Sequence, residues 1–220
     1  MPDSKKYNLV FDLGGVLVDW NPRHLYRSIF RGDLRAMEDF LQAINFPQWN
    51  ESMDRGRPFA EAVADLSARF PNYARAIEAF DTRWEEVIAG PIQGSVQIAL
   101  QLRANGIPLY CLTNISQEKY GVVRKKYTFL EQFRWIMRSG EFGLVKPDPR
   151  IFELFLERTG VRNKDCIFVD DSEANVLSAR ALGWNTVLFR SPSQLARELE
   201  RFGLKTGPIE GTVDPNREPA

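Results

Sequence analysis

Residues 7–19 read Tyr7-Asn8-Leu9-Val10-Phe11-Asp12-Leu13-Gly14-Gly15-Val16-Leu17-Val18-Asp19. The run 7–11 is short and apolar, and it ends in an acid followed by paired glycines. That is the pattern of a buried strand stopping at a tight turn. From Pro91 onward the same texture recurs. A helix over about 95–104, stopped by Gly106, leads into the run Ile107–Leu112. A second helix, with Val122 and Val123 on its inner face, leads to Trp135-Ile136-Met137. Asp148-Pro149 opens a helix that Gly160 closes, and the run Cys166–Val169 ends in Asp170-Asp171. A further helix ends at Gly183, followed by Thr186-Val187-Leu188-Phe189 and a last helix capped by Ser193. Strands apolar on both faces, alternating with helices, predict an α/β fold with a doubly wound parallel sheet.

Between these parts, residues 20–87 show helical periodicity and no clear strand. Asn21-Pro22 is an N-cap with Pro at the first helical position. Leu34, Met37, Leu41 and Ile44 follow a capping Asp33; Phe59, Val63, Leu66 and Phe70 form a second stripe; Tyr73, Ile77, Phe80, Trp84 and Val87 form a third. Such stripes need partner helices to cover them. The spacing predicts an all-helical unit at 20–87 inserted into an α/β core made of 1–19 and 88–204. The tail 205–220 lacks a hydrophobic pattern and is expected not to pack as a core element.

Composition narrows the function classes. The 220 residues carry 29 Lys+Arg and 29 Asp+Glu, a formal net charge of zero, so the basic footprint of a nucleic-acid binder is absent. Apolar residues make up 44 %, enough for a core and a second small unit. The two cysteines, Cys111 and Cys166, sit inside apolar runs and read as buried thiols of a cytoplasmic protein. Lys5-Lys6 before Leu9-Val10-Phe11 looks like the start of a secretory signal, but Asp12 interrupts it and no small-x-small site comes after it. No membrane span is read, and the chain is expected to be a monomer or homodimer.

Ligands of open parallel sheets bind at the carboxyl ends of the strands. Asp12 follows the first strand, Thr113-Asn114 the second and Asp170-Asp171 the fourth, while Gly143-Leu144-Val145-Lys146-Pro147 follows the third by a loop. One such Asp is usually a turn residue. Three carboxylates, a hydroxyl and a lysine on successive strand ends are a different matter. Clustered carboxylates repel unless a cation or proton sits among them, and hard oxygen ligands suit Mg²⁺.

Four segments carry a resemblance: Phe11-Asp12-Leu13-Gly14-Gly15-Val16-Leu17-Val18-Asp19, Leu112-Thr113-Asn114, Lys146-Pro147-Asp148-Pro149 and Val169-Asp170-Asp171-Ser172-Glu173-Ala174-Asn175. In this order they resemble the four motifs of the haloacid-dehalogenase superfamily of hydrolases, over residues 7–190. The resemblance implies sheet order 5-4-1-2-3, and it makes 20–87 the helical cap that one subgroup inserts between its first two motifs. Cys111 and Cys166 then lie on strands flanking the first, two spacings of ~4.8 Å apart, too far for a disulfide. It also implies Asp12 as nucleophile, forming an ester or acyl phosphate that water later cleaves. Asp12, Asp171 and the Gly14 carbonyl would hold Mg²⁺. Thr113, with the Asn114 amide and the Gly14-Gly15 turn, would bind the transferring oxygens. Lys146 would supply fixed positive charge; Asp170 would hold a water on the cation, and Asn175 would orient that surrounding.

The pattern departs at one place. Phosphatases of the superfamily carry an acid–base Asp two residues after the nucleophile, where this chain has Gly14. A general acid contributes about 10²–10⁴ in rate. Three readings are then open: a phosphatase for esters with a tolerable leaving group or another proton donor, a 2-haloacid dehalogenase, or a weakly active binding protein. Asp170-Asp171 favours the first, since carbon–halogen cleavage by a carboxylate needs no metal. Anomeric sugar phosphates leave more readily than simple alkyl ones, which makes sugar 1-phosphates the expected substrates over sugar 6-phosphates. In the insertion, His24, Trp20, Trp49, Asn50, Asp54, Arg55 and Arg57 are the polar and aromatic groups placed to face the site, although a lone histidine on a helix is most often a satisfied structural residue.

Overall fold

The computed structural model describes residues 7–209. Among them seven strands form: β1 (Asn8–Phe11), β2 (Val18–Trp20), β3 (Ile88–Pro91), β4 (Leu109–Thr113), β5 (Trp135–Arg138), β6 (Cys166–Asp170) and β7 (Asn185–Leu188). Five of them make one parallel sheet in the order β5-β4-β1-β6-β7. Counted along the core alone this is the 5-4-1-2-3 order that the sequence resemblance implies. Period-two alternation sorts the side chains. Leu9 and Phe11 share one face with Leu109, Cys111, Ile167 and Val169, and Val10 shares the other with Tyr110, Leu112 and Phe168. Every residue of β4 and β6 is buried, as expected for strands covered on both faces.

Helices α1 (Pro22–Ile29), α2 (Leu34–Ala43), α3 (Phe46–Asp54), α4 (Phe59–Arg69) and α5 (Ala74–Thr82) lie between β2 and β3. The rest of the chain supplies α6 (Gln93–Ala104), α7 (Gln117–Lys126), α8 (Ser139–Phe142), α9 (Pro149–Thr159), α10 (Glu173–Ala181) and α11 (Pro192–Arg201). α9 covers one face of the sheet with Ile151, Phe152 and Phe155. α6 and α11 cover the other with Ile98, Leu102, Leu195 and Leu199. No described residue from Pro22 to Trp84 joins the main sheet. The inserted helices have an aromatic centre: Phe80 packs against Phe46, Trp49 and Phe59 at ring-centroid distances of 5.0, 5.2 and 5.9 Å.

Several expectations need correcting. β2 and β3 pair antiparallel as a short ribbon at the root of the insertion, with Trp20 opposite Ile88; three- and four-residue strands carry too little alternation to be read. Leu34 is 53 % exposed, and Phe40 takes its place in the α2 stripe. The third stripe is not one helix, because Pro71 starts a 3₁₀ turn before α5. The last helix is capped by Ser191, whose hydroxyl accepts from the Gln194 amide, and not by Ser193. The tail does pack at its start: Gly207 N donates to Gln101 Oε1 (2.8 Å), Gln101 Nε2 donates to Pro208 O (3.1 Å) and Ile209 lies against the core. The remainder of that expectation, and the Lys5-Lys6 reading, fall outside the described residues. Cys111 and Cys166 are buried and free, on opposite faces of the sheet.

Candidate active site

β1 is central in the sheet, so the residue just past its end meets those that end its two neighbours. Asp12 comes directly after β1, Thr113 ends β4 and Asp170 ends β6. Asp12 Oδ1 accepts from the Leu13 amide (2.7 Å) and lies 2.9 Å from Lys146 Nζ. Among the described residues no hydrogen bond holds its other oxygen. Lys146 Nζ also donates to Asp170 Oδ2 (2.7 Å), and its side chain is 1 % exposed. The loop bearing Lys146 is fastened to β4 through Asn114: Asn114 Nδ2 donates to Lys146 O and Lys146 N donates to Asn114 Oδ1, both at 2.9 Å.

Asp170 is held on both of its oxygens. Its Oδ1 accepts from Ser172 N (2.8 Å) and Asn175 Nδ2 (3.0 Å), and its Oδ2 from Lys146. With both oxygens engaged it fixes Lys146, and Asn175 acts on the cluster through it. Gly15 differs from expectation. Its amide donates to Val18 O (2.9 Å) and so is not turned to an anion. A Cβ there would lie 2.2 Å from Asp171 Oδ2, so the glycine is what lets the Asp171 carboxylate approach the first turn.

One ligand oxygen from each of Asp12, Asp170 and Asp171 falls within 4.8 Å of the others. Three carboxylates face one buried ammonium, an excess of negative charge that a cation offsets. Burial pushes Asp12 up to about 7, against the pull of Lys146 and with help from Asp170 and Asp171. Burial also raises Asp171. Burial alone would lower Lys146, but Asp12 and Asp170 outweigh it and raise its pKa, so the ammonium stays charged. The donor set is hard oxygen throughout, which fits Mg²⁺ held chiefly by Asp12 and Asp171.

Above the carboxylates is a cavity of about 250 Å³. Asp12, Gly14, Thr113, Asn114 and Asp171 form its floor, and Trp20, Asn50, Asp54, Phe59, Trp84 and Ile88 enclose it from the ribbon and the insertion. Asp54 ends α3; Asn50, one turn earlier, donates to its Oδ2 (2.8 Å). Burial, then the charge of Asp12, pushes Asp54 up to about 7. The other expected insertion residues turn elsewhere. His24 Nε2 meets Asp19 Oδ1 at 3.1 Å outside the cavity. Trp49 donates its indole N–H to Ala62 O (3.1 Å) inside the insertion. Arg55 pairs with Glu51 and Arg57 with Asp65, so neither is a free anion contact. Phe59 and Trp84 belong to apolar stripes, and periodicity has no means of telling a core wall from a cavity wall.

A family model for haloacid dehalogenase-like hydrolases matches residues 8–183. The chain belongs to that family. It is 37 % identical over 194 residues to the drimenol cyclase drtB of Aspergillus calidoustus, covering 87 % of this chain and 35 % of that protein. The chain thus spans about a third of that relative's length. It is 27 % identical over 175 residues to the sesquiterpene phosphatase astK of Aspergillus oryzae, covering 79 % of this chain and 85 % of the other. Among solved structures, a HAD family enzyme of Bacteroides thetaiotaomicron in complex with magnesium and inorganic phosphate is 26 % identical, with TM-score 0.63, covering 84 % of this chain and 95 % of that one. The chain is thus a member of a hydrolase family, and a phosphatase is among its relatives. Among the described residues no helix is long and apolar enough to cross a membrane.

Proposed function

We propose that this HAD-like hydrolase is a Mg²⁺-dependent phosphomonoesterase working through an aspartyl phosphate on Asp12. The observation that carries the reading is the cluster of Asp12, Asp170 and Asp171 around the buried Lys146 ammonium at the strand ends. Phosphoryl transfer asks mainly for positioning and charge stabilisation. Mg²⁺ when bound would neutralise the repulsion between an anionic nucleophile and an anionic phosphate. Asp12 attacks phosphorus with the oxygen that Leu13 and Lys146 leave free. Lys146, fixed by Asp170, and the Thr113 hydroxyl stabilise the transferring oxygens. Water then cleaves the acyl phosphate and restores Asp12. A carbon–halogen hydrolase would leave the Asp171 carboxylate without a task.

The helical insertion serves as the cap that selects the body of the ester. Trp20, Phe59, Trp84 and Ile88 make its wall apolar, with Asn50 and Asp54 as polar points. Lys119, a cation in the cavity lining, is already paired with Asp81 and lies 4.2 Å over the Phe59 ring. This lining favours an ester with an apolar face over a sugar 1-phosphate, whose ring hydroxyls need more polar partners; the name of the sesquiterpene phosphatase relative agrees. The test is a panel of prenyl, alkyl and aryl monophosphates, sugar 1- and 6-phosphates and 2-haloacids, each with Mg²⁺ and with EDTA. Phosphate release that disappears in EDTA and is fastest for the apolar esters is expected. Halide release indifferent to the metal, with no phosphate from any ester, would overturn the reading.

A further inference from the structure

An alkoxide leaves phosphorus slowly unless it is protonated as the bond breaks, so the absence of a side chain at Gly14 leaves a task without an owner. Space is not the reason for the glycine: a Cβ at Gly14 would meet only Trp20, at an ordinary 3.5 Å. The donor has to face the floor and carry a proton. His24 fails the first condition, and Lys146 is committed to two carboxylates. Asp54 is the one acid of the insertion that borders the cavity.

Its position is built. Ser139, fully buried, donates its hydroxyl to the Asp54 backbone carbonyl (2.6 Å) and accepts from the Ile115 amide (2.9 Å). One side chain therefore ties the end of α3 to the core loop just past Thr113 and Asn114. The next residues fit equally closely, since a Cβ on Gly56 would lie 3.1 Å from Gly140 O. Asn50 holds Asp54 Oδ2, and among the described residues no hydrogen bond holds Oδ1. The carboxyl also sits at the C-terminal end of α3, where the helix dipole disfavours a negative charge and so favours the protonated acid.

We propose that Asp54 is the general acid–base of this enzyme, supplied by the insertion in place of the acid missing at Gly14. The inference rests on the phosphomonoesterase reading above. Asp12 forms a bond to phosphorus while the phosphorus–oxygen bond to the leaving group breaks. The departing electron pair takes the proton of the Asp54 carboxyl and leaves as an alcohol. Asp54, now a carboxylate, accepts a proton from the water that attacks the aspartyl phosphate, and both carboxyls return to their starting states. Its burial keeps the acid close to neutrality, as such a shuttle requires.

The experiment compares wild type and Asp54→Asn on two apolar esters, a simple alkyl phosphate and p-nitrophenyl phosphate, whose leaving group needs little protonation. The expected result is a kcat loss of about 10²–10⁴ on the alkyl ester and less than about tenfold on the nitrophenyl ester. A circular dichroism melt accompanies it, and Asp54→Glu is expected to restore part of the alkyl activity. Equal losses on both esters, or none on the alkyl ester, would overturn the role of Asp54 alone. A wild type that releases phosphate from neither ester would bring down the underlying reading, and this inference with it.

Discussion

Two small residues at the site carry predictions at the scale of single atoms. Gly15 has φ +72° and no room for a methyl group beside Asp171. Gly15→Ala is expected to push that carboxylate aside and raise the Mg²⁺ concentration for half-maximal activity about tenfold or more; an unchanged metal titration would speak against Asp171 as a ligand. Ser139→Ala removes the tie between the end of α3 and the Ile115 amide. Its expected signature is a kcat loss on alkyl phosphates with kcat on p-nitrophenyl phosphate retained, measured side by side. The chemistry at this scale was partly legible. Asp12, Thr113, Lys146 and Asp171 announce themselves because each ends a strand or comes after one by a loop. Asp54 was legible only as one of several insertion residues that could face the site: an amphipathic helix shows that its polar face is polar, and only the fold singles out which of those residues borders the cavity. His24 misleads for the complementary reason, since a rare residue type draws attention wherever it points.

At the scale of elements, the insertion is held to the core by ion pairing as well as by the ribbon β2–β3. Lys119 on α7 reaches both the carboxylate and the backbone carbonyl of Asp81 on α5, and Glu118 Oε1 accepts from the Phe59 amide at the start of α4 (3.1 Å). Asp81→Ala leaves the largely buried ammonium without its carboxylate. It is expected to cost about 1–3 kcal/mol in chemical denaturation, whereas Lys119→Met, which removes the charge itself, is expected to cost less. Phe80→Ala opens a hole among Phe46, Trp49 and Phe59 and should cost about 3–5 kcal/mol. The long elements were readable from periodicity and caps, as the α9 boundaries at Asp148 and Gly160 illustrate. The ribbon, the Ser191 cap and the packed start of the tail were not. Each depends on two or three residues, and in the ribbon and the tail the partner lies far along the chain, as Gln101 does for Gly207.

For the whole molecule, clustering carboxylates stores a dependence on pH and metal. Asp12 and Asp54 rise from an ordinary 3.8 to about 7, mainly through burial. The folded chain therefore holds more protons than the unfolded chain between about 4 and 7, and stability falls as pH rises through that window. Metal-free protein should melt at a lower temperature at pH 8 than at pH 6. Mg²⁺, binding the folded state, should narrow the gap, adding about 2.7 kcal/mol at a hundredfold excess over its dissociation constant. A melting temperature independent of both would contradict the electrostatics described for the cluster. The central claim is that Asp12 itself carries the phosphoryl group. Its most direct test is to quench the enzyme during turnover of a phosphomonoester with Mg²⁺, reduce the acyl phosphate with borohydride and map the peptide by mass spectrometry. Homoserine at position 12, absent without substrate and absent in Asp12→Asn, is the predicted result; continued phosphate release with residue 12 unmodified, or the mark on another residue, would contradict it.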